Sequence, residues 1–124
     1  MPDHAKQVGI LCQRVIDLLG LSSMTEGRSI LLGESNIAHM VSRHPADYAL
    51  YGEYIPLILS APDYVALNAK DGSIEYVKEV QVNSVYVKVA VRVSARGQLF
   101  ARSVYRLNAN RVLNFIEKGT LKRY

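Results

Sequence analysis

Arg43, His44 and Lys78 are the residues of this chain whose types and spacing point most clearly to chemistry. Arg43 and His44 end a short amphipathic segment before Pro45, and Lys78 follows on a segment rich in tyrosine and valine. A histidine can serve as general acid or base near neutral pH, and cationic side chains can stabilise the charge that develops on a phosphate during cleavage. A site that cleaves phosphodiesters without a metal ion needs these groups, so residues 36–80 suggest a nuclease.

The amphipathic segment before Pro45 predicts a helix that ends at His44. Ser35 is a suitable N-cap for it, and a proline disfavours the helical conformation at the residue before it. His39 and Arg43 are four residues apart and share one helix face, which is either part of a site or a solvated basic edge. His44 faces a loop, where it either acts in acid–base chemistry or caps the helix as a cation at the negative end of the dipole.

Strict alternation along the predicted strand places Lys78 on the face that Ile74 and Tyr76 share. The polar residues Lys88 and Arg92 of the next strand belong to a different face. A lysine beside apolar neighbours either snorkels at the margin of the sheet or points into a cleft, and a bulge could change its face.

The last predicted strand carries four polar candidates that alternate along it. Ser103 and Tyr105 share one face, and Arg102 and Arg106 share the other, so only one pair can line a cleft. The Ser103 hydroxyl could hold a phosphate oxygen, and Tyr105 could hold a base or donate a proton. The alternative is a pair of side chains that only supports the sheet across its strands.

The composition favours an anionic partner and argues against several kinds of site. The chain has 124 residues, which predicts one domain, and it carries a net charge of +4 with a pI near 9.3. A basic protein gains affinity for polyanions by releasing their condensed counterions. The one cysteine, Cys12, excludes an internal disulfide framework and a zinc site built from several thiolates. The carboxylates show no ligand spacing with the histidines, so neither a metal nor another cofactor is predicted.

Two further patterns bear on where the protein acts. No run of about 18 apolar residues is present, so the sequence predicts no membrane-spanning helix. The first residues, MPDH, lack the basic and apolar segments of a signal peptide. A cytoplasmic protein is therefore expected.

Hydrophobic periodicity predicts helices in the first half of the chain. Apolar residues at helical spacing predict a helix over residues 5–19, which Gly20 stops. Residues 30–32 form at most a brief edge strand. Another helix is predicted over residues 46–60, and it should kink or split near Tyr54 because Pro56 lacks an amide donor. Its tyrosines are assigned to helix packing.

Strands follow in the second half. They are predicted over Tyr64–Leu67 and over residues 73–82, 85–94 and 98–107. Their short connections require antiparallel pairing as a meander. In the third of these strands the valines point to one face, while Tyr86, Lys88 and Arg92 point to the other. The first helices are expected to cover the valines, and the opposite face is expected to stay open to a partner.

A final helix over residues 109–118, with Asn108 as its N-cap, and a basic tail complete the chain. The predicted fold class is therefore α+β: N-terminal helices, then a four-stranded antiparallel meander sheet, then a C-terminal helix.

The order of six short motifs resembles one nuclease superfamily. The motifs are SRHP, YIPLILSAPDYVAL, SIEYVKEV, VYVKVAV, ARSVY and NFIEKGTLKRY. Together they look like the phage-associated branch of the barnase–EndoU–colicin E5/D–RelE-like nucleases, over roughly residues 30–124. Residues 1–28 would then be a helical extension or the family's own first helix. The resemblance implies a barnase/EndoU/RelE-like fold with a substrate-binding sheet face, and a metal-independent ribonuclease or toxin.

The resemblance also implies roles for single residues. Lys78 falls at the family's strand-lysine position, and Ser103 lies nearest its late polar position. The predicted catalytic set is His44, Lys78, Arg43 and Ser103. The predicted substrate-binding set is His39, Tyr105, Arg102, Lys88 and Arg92.

In the predicted mechanism, His44 or His39 takes the proton from an RNA 2′-hydroxyl, and the product is a 2′,3′-cyclic phosphate. RNA is the expected partner, because only RNA carries that hydroxyl, and a toxin of this type would have a cognate inhibitor protein. The sequence does not give the oligomeric state. The alternative function is a non-catalytic module that binds RNA, protein or a small ligand on the open sheet face.

Overall fold

A computed structural model of the chain describes residues 5–80 and 85–124. The strands of these residues form one sheet and are β1 (Ala5–Ile10), β2 (Ser29–Gly33), β3 (Tyr64–Leu67), β4 (Ile74–Val80), β5 (Val85–Val93), β6 (Leu99–Leu107) and β7 (Lys122–Arg123). The helices are α1 (Gln13–Leu19), α2 (Glu34–Arg43), α3 (Pro45–Tyr51), α4 (Ile55–Ser60) and α5 (Ala109–Glu117).

The sheet has the strand order β1-β2-β6-β5-β4-β3-β7. The predicted meander is confirmed, since β3, β4, β5 and β6 are neighbours that pair antiparallel in sequence order. The prediction of four strands was incomplete, because β1 and β2 extend the sheet beyond β6 and β7 extends it beyond β3. The β2–β6 pairing is parallel. The end of the predicted strand over residues 73–82, with the turn after it, lies outside the described residues.

The first predicted helix was wrong over its first half. Residues 5–10 form β1, which pairs antiparallel with β2, and only Gln13–Leu19 is helical. The strand packs closely on α4, because a Cβ built on Gly9 would lie 3.0 Å from the Cβ of Leu59. The helical spacing of the apolar residues does not show that β2 is available as a partner strand. The pairing of β1 with β2 satisfies backbone amides along β2. Gly20 ends α1 as predicted, in the left-handed conformation with φ of 67°.

The second helix is confirmed, but its predicted cap is wrong. Gly33 is the N-cap, and its backbone N–H donates to Oδ1 of Asn36 at 2.8 Å. The predicted helix over residues 46–60 is divided into α3, a 3-10 turn (Gly52–Tyr54) and α4. Pro56 lies in the first turn of α4, where its missing amide costs least, so the predicted break is confirmed.

One sheet face, the valine face, is defined by Val87, Val89 and Val91 of β5, all of which are fully buried. Side chains of α1 and α4, among them Val15 and Ile58, pack with these valines in the main core. The tyrosines of α3 and the following turn also pack on this core, which agrees with their assignment to packing.

The opposite face, here the outer face, is covered at one end. Val112 of α5 packs on Ala66 and Val77 in a second, smaller core. The expectation of a wholly open face was therefore wrong at this end, because α5 returns across it. Asn108 caps α5 as predicted, and its side chain accepts a hydrogen bond from the backbone N–H of Asn110.

No helix within residues 5–80 and 85–124 is both long enough and apolar enough to cross a membrane.

Tyr76 brings a hydroxyl into the main core. The residue is 1% exposed, and its Oη finds no hydrogen-bond partner among the described residues. Burial raises the pKa of Tyr76 well above its ordinary value, with smaller contributions from Cys12 and Tyr124. A buried hydroxyl without a partner costs free energy that an apolar ring of the same shape would not.

The variant Tyr76→Phe should therefore be more stable than the wild type, by about 1 kcal/mol at neutral pH. The difference should grow in alkali: the unfolded chain loses the tyrosine proton near pH 10 while the folded chain keeps it. The wild type should thus lose about 1.4 kcal/mol more than the variant for each pH unit above 10. Denaturant unfolding between pH 7 and pH 11 measures both effects. A variant that is less stable at pH 7 would mean that the hydroxyl has a partner.

Candidate active site on the outer face

The site begins where β2 leaves the sheet. β2 pairs with β6 only at Ile30↔Leu99 and Leu31↔Phe100, and α2 starts directly after β2. The rest of β6 therefore has an edge that β2 does not cover, and α2 and α3 pack along it. Asp47 in the first turn of α3 accepts a hydrogen bond at Oδ2 from the backbone N–H of Arg106, at 3.3 Å. This bond ties α3 to the edge of β6.

His44 lies at the break between α2 and α3. Its φ of −140° and ψ of 63° are not helical, so it ends one helix and caps the next. Its backbone is held on both sides, because its N–H donates to the Met40 carbonyl at 2.8 Å and its carbonyl accepts from the Tyr48 N–H at 2.9 Å. The half-buried imidazole stacks on Tyr105 of β6, with ring centroids 4.8 Å apart and planes 24° from parallel.

Tyr105 also lies against a largely buried ion pair. The Nζ of Lys88 is 5.0 Å from the centre of the Tyr105 ring and 3.0 Å from Oε2 of Glu75. Both charged side chains are 14% exposed, and Asn68 donates a further hydrogen bond to the same Glu75 oxygen at 3.2 Å. Residues 88 and 105 are opposite each other in the β5–β6 register, so they share the outer face.

The charge of Lys88 survives its burial. Desolvation by burial acts to lower the pKa of Lys88, but its hydrogen-bonding contact with Tyr105 and the negative charge of Glu75 outweigh that effect. The pKa is therefore raised above its usual range, and the ammonium is present at neutral pH. It lies where it can stabilise negative charge on the tyrosine oxygen.

An irregularity in β6 brings Arg102 to the same face. The β5–β6 register shifts between Ala90↔Ser103 and Val91↔Ala101, which leaves Arg102 as an extra residue. Such a bulge re-aims a side chain. Simple alternation had placed Arg102 on the face opposite to Ser103 and Tyr105, but Arg102 lines a cleft with Arg92 of the outer face. The prediction that Arg102 and Arg106 share a face was therefore wrong.

This cleft, here the arginine cleft, has a volume of about 350 Å³. It is lined by Ser35, Asn36, His39, Arg92, Ser94, Phe100 and Arg102. Two of these residues are arginines and none is a carboxylate, so the cleft favours an anion.

Lys78 does not join this cluster. It pairs with Val87 in the β4–β5 register and so belongs to the valine face. At the margin of that face it donates to the Ala61 carbonyl at 2.8 Å and lies 4.0 Å from Oδ1 of Asp63. The expectation that the helix delivers His44 to Lys78 was wrong, whereas strict alternation had assigned the face of Lys78 correctly.

The remaining predicted residues take different positions. Ser103 pairs with Ala90 and is half-buried on the outer face. Arg43 is exposed at the last turn of α2, one residue before His44. His39 lines the arginine cleft, so α2 contributes to the cleft and its end contributes the stacked histidine.

Sequence reasoning missed three residues of this site. Glu75 shares the outer face with Ala90 and Ser103 in the register, and its place in an alternating strand was the available signal. Phe100 lines the arginine cleft because it pairs with Arg92. Asp47 could not be found from sequence, since its partner is a backbone N–H that only the packing of α3 brings near.

The arrangement combines a proton acceptor, a phenol beside an ammonium group and a carboxylate-free basic cleft. No group of three or more histidine, cysteine or acidic side chains that could hold a metal ion occurs in the described parts of the chain. The chemistry that these side chains can supply directly is proton transfer and stabilisation of a phosphate's negative charge.

The Asp47 hydrogen bond should control the stack of His44 on Tyr105. Asp47→Ala removes the acceptor, so α3 should loosen from β6, and stability should fall by about 1 kcal/mol. The ring protons of His44 should move toward their unstacked chemical shifts in NMR spectra. Glu53→Ala, which removes an exposed carboxylate from the turn after α3, is the matched control. An unchanged His44 spectrum in Asp47→Ala would show that the bond does not position the ring.

Glu75→Gln should expose the dependence of Lys88 on its partner. The glutamine keeps the shape but removes the charge, so burial should then lower the pKa of Lys88 relative to the wild type. Breaking a largely buried pair should also cost about 2 kcal/mol of folding free energy. Carbon-detected NMR titration of the lysine and denaturant unfolding measure these effects. Glu117→Gln, on the exposed face of α5, controls for net charge, and an unmoved Lys88 titration would contradict the prediction.

The comparisons with known proteins bear on the resemblance found in the sequence. A family model described as phage-Barnase-EndoU-ColicinE5/D-RelE like nuclease 3 matches residues 6–114. The match includes β1 and α1 and therefore begins well before residue 30. Neither the curated proteins nor the solved structures contain a match to this chain. Because the family match covers most of the chain, the protein belongs to the phage-Barnase-EndoU-ColicinE5/D-RelE like nuclease 3 family.

Proposed function

We propose that this protein is an endoribonuclease that cleaves RNA by attack of the 2′-hydroxyl, without a metal ion, and leaves a 2′,3′-cyclic phosphate. Its membership of a nuclease family indicates a nucleic-acid substrate. The observation that carries the finer proposal is the stack of His44 on Tyr105, with the ammonium of Lys88 against the same ring. Groups that can transfer a proton and a group that can stabilise negative charge therefore lie together on the outer face.

His44 is the proposed general base. It takes the proton from the 2′-hydroxyl as the bond from that oxygen to phosphorus forms. The two backbone hydrogen bonds hold the main chain of His44, and the stack on Tyr105 limits how its ring can turn. A ring held in one orientation loses less entropy on reaching the reactive geometry.

Tyr105 is the proposed general acid. The bond from phosphorus to the 5′-oxygen breaks as that oxygen takes the phenolic proton, and solvent exchange afterwards returns the proton from His44 to Tyr105. Lys88 stabilises the phenolate in the interval, because its charged form persists beside the ring. Glu75 keeps the buried ammonium compensated in the resting protein.

The non-bridging oxygens of the scissile phosphate need further partners as negative charge develops on them. Arg43 is one residue from His44 and exposed, and Ser103 is two residues from Tyr105 on the outer face. We assign these two side chains to that role. Lys78 is not assigned one, since it belongs to the valine face.

The proposed nucleophile makes RNA the substrate, because DNA lacks the 2′-hydroxyl. The toxin role and its inhibitor protein remain predictions of the sequence resemblance. The alternative of a non-catalytic RNA-binding module uses the same outer face, so turnover is what separates the two functions.

The test is incubation of the purified protein with mixed RNA in excess EDTA, followed by identification of the product ends. The wild type should cleave RNA and leave DNA intact. His44→Ala and Tyr105→Phe should each lower kcat by about 10²- to 10⁴-fold, while Tyr48→Phe, a core-packing tyrosine, should retain wild-type activity. Lys78→Ala should change kcat by less than about threefold.

Two outcomes would overturn parts of this proposal. Cleavage that stops in EDTA would contradict the metal-free reaction, and wild-type cleavage by both His44→Ala and Tyr105→Phe would contradict the site. RNA binding with no turnover by any preparation would instead support the non-catalytic module.

A further inference from the structure

The arginine cleft contains more than the cleavage chemistry needs. Its lining adds the aromatic ring of Phe100 and two guanidinium groups to the histidine of α2. The proposed reaction uses His44 and Tyr105, neither of which lines this cleft. A cleft with positive charge, an aromatic ring and no carboxylate matches the parts of one nucleotide.

A larger cleft offers a useful contrast. It has a volume of about 580 Å³ and lies at the β3–β4 end of the sheet. Lys78 and Arg123 line it, but so do Asp63 and Glu79. Its formal charges therefore cancel, and it has no preference for a phosphate over a neutral group. Among these two clefts, only the arginine cleft selects for a nucleic acid.

The position of the arginine cleft relates it to the proposed site of cleavage. His39 of α2 lies five residues before His44, the residue that ends this helix, which is roughly 7.5 Å along a helix axis. On β6, Arg102 lies three residues before Tyr105, which is at most about 10 Å along a strand because the bulge at Arg102 shortens the spacing. Both separations are on the order of the length that one nucleotide spans in an extended single strand of RNA.

The register explains how a base and a phosphate can be held together. Arg92 and Phe100 are opposite each other on β5 and β6, so their side chains are neighbours on the outer face. The bulge adds Arg102 to the same cleft. Two arginines can grip one phosphate, since their guanidinium groups match its oxygens, while a half-buried phenylalanine presents a ring for stacking.

We infer that the arginine cleft binds the nucleotide adjacent to the cleaved phosphodiester, with a phosphate between Arg92 and Arg102 and the base against Phe100. The position of this nucleotide next to the cleaved bond rests on the proposed function. The binding of a single-stranded nucleotide in the cleft does not. The cleft requires an unpaired base, because a base inside a duplex cannot reach the ring. The protein should therefore select single-stranded over duplex RNA at this position.

The binding test uses fluorescein-labelled single-stranded RNA tetranucleotides with 2′-O-methyl groups, which cannot undergo attack by the 2′-hydroxyl. Anisotropy titrations at several salt concentrations give the Kd and its salt slope. Arg92→Gln and Arg102→Gln should each weaken binding and reduce the slope by about 0.7, the value for one phosphate contact on a single strand. Arg14→Gln removes the same charge from α1, on the valine side of the sheet, and should leave both quantities unchanged.

Phe100→Leu tests the base. The substitution should weaken binding of the tetranucleotide about tenfold. An unchanged melting temperature of the variant protein should confirm that β6 is intact. A series of tetranucleotides with one abasic position locates the contact, because the loss from Phe100→Leu should vanish when that one position lacks its base. A loss that is equal for every abasic tetranucleotide would overturn the stacking assignment.

Parallel RNA cleavage assays separate this inference from the proposed function. Wild-type Kd and salt slope in both arginine variants, or no tetranucleotide binding by the wild-type protein, would overturn the cleft as a nucleotide site. The expected binding losses without any RNA cleavage would support the cleft and contradict only the ribonuclease proposal. In an active protein, the arginine variants should raise KM more than they lower kcat.

Discussion

The early departure of β2 from the sheet is the constraint on which the candidate site depends. β2 pairs with β6 over only two residue pairs before the chain turns into α2. A longer pairing would have covered the edge of β6 with backbone and excluded the helices. Instead, α3 packs on the exposed edge, where Asp47 accepts a hydrogen bond from the backbone N–H of Arg106. That attachment sets the helix break at His44 beside Tyr105, so a short parallel pairing determines where a histidine can meet the sheet.

The outer face is divided between packing and chemistry. At one end α5 closes over Val77 in a small apolar core, while the other end keeps polar side chains that a solvated face normally carries. The ion pair of Lys88 and Glu75 lies between these regions and is mostly buried. Such a pair is weak support for stability, because desolvation offsets much of its attraction. Its consequence here is local: a persistent ammonium beside the Tyr105 ring.

His39 of α2 and His44, the residue that ends this helix, lie at different parts of the same surface. His39 lines the arginine cleft, and His44 leaves the helical conformation and stacks on β6. The bulge at Arg102 completes the cleft by adding a side chain that regular alternation would have turned away. Membership of the nuclease family indicates a nucleic-acid substrate for the protein. The geometry then suggests separate places for proton transfer and for holding a neighbouring nucleotide.

The sequence by itself determined the local features. Alternating valines identified β5 and the buried face, Pro45 identified the helix end at His44, and the ordered motifs identified the nuclease family. Tertiary structure decided the features that depend on distant partners. Residues 5–10 became a strand because β2 lay beside them, α3 was attached to the edge of β6 through Asp47, and one extra residue in β6 re-aimed Arg102. Periodicity reports which side chains share a face of one element, but the partner strand, the bulge and the edge attachment arise between elements, and only the folded chain brings them together.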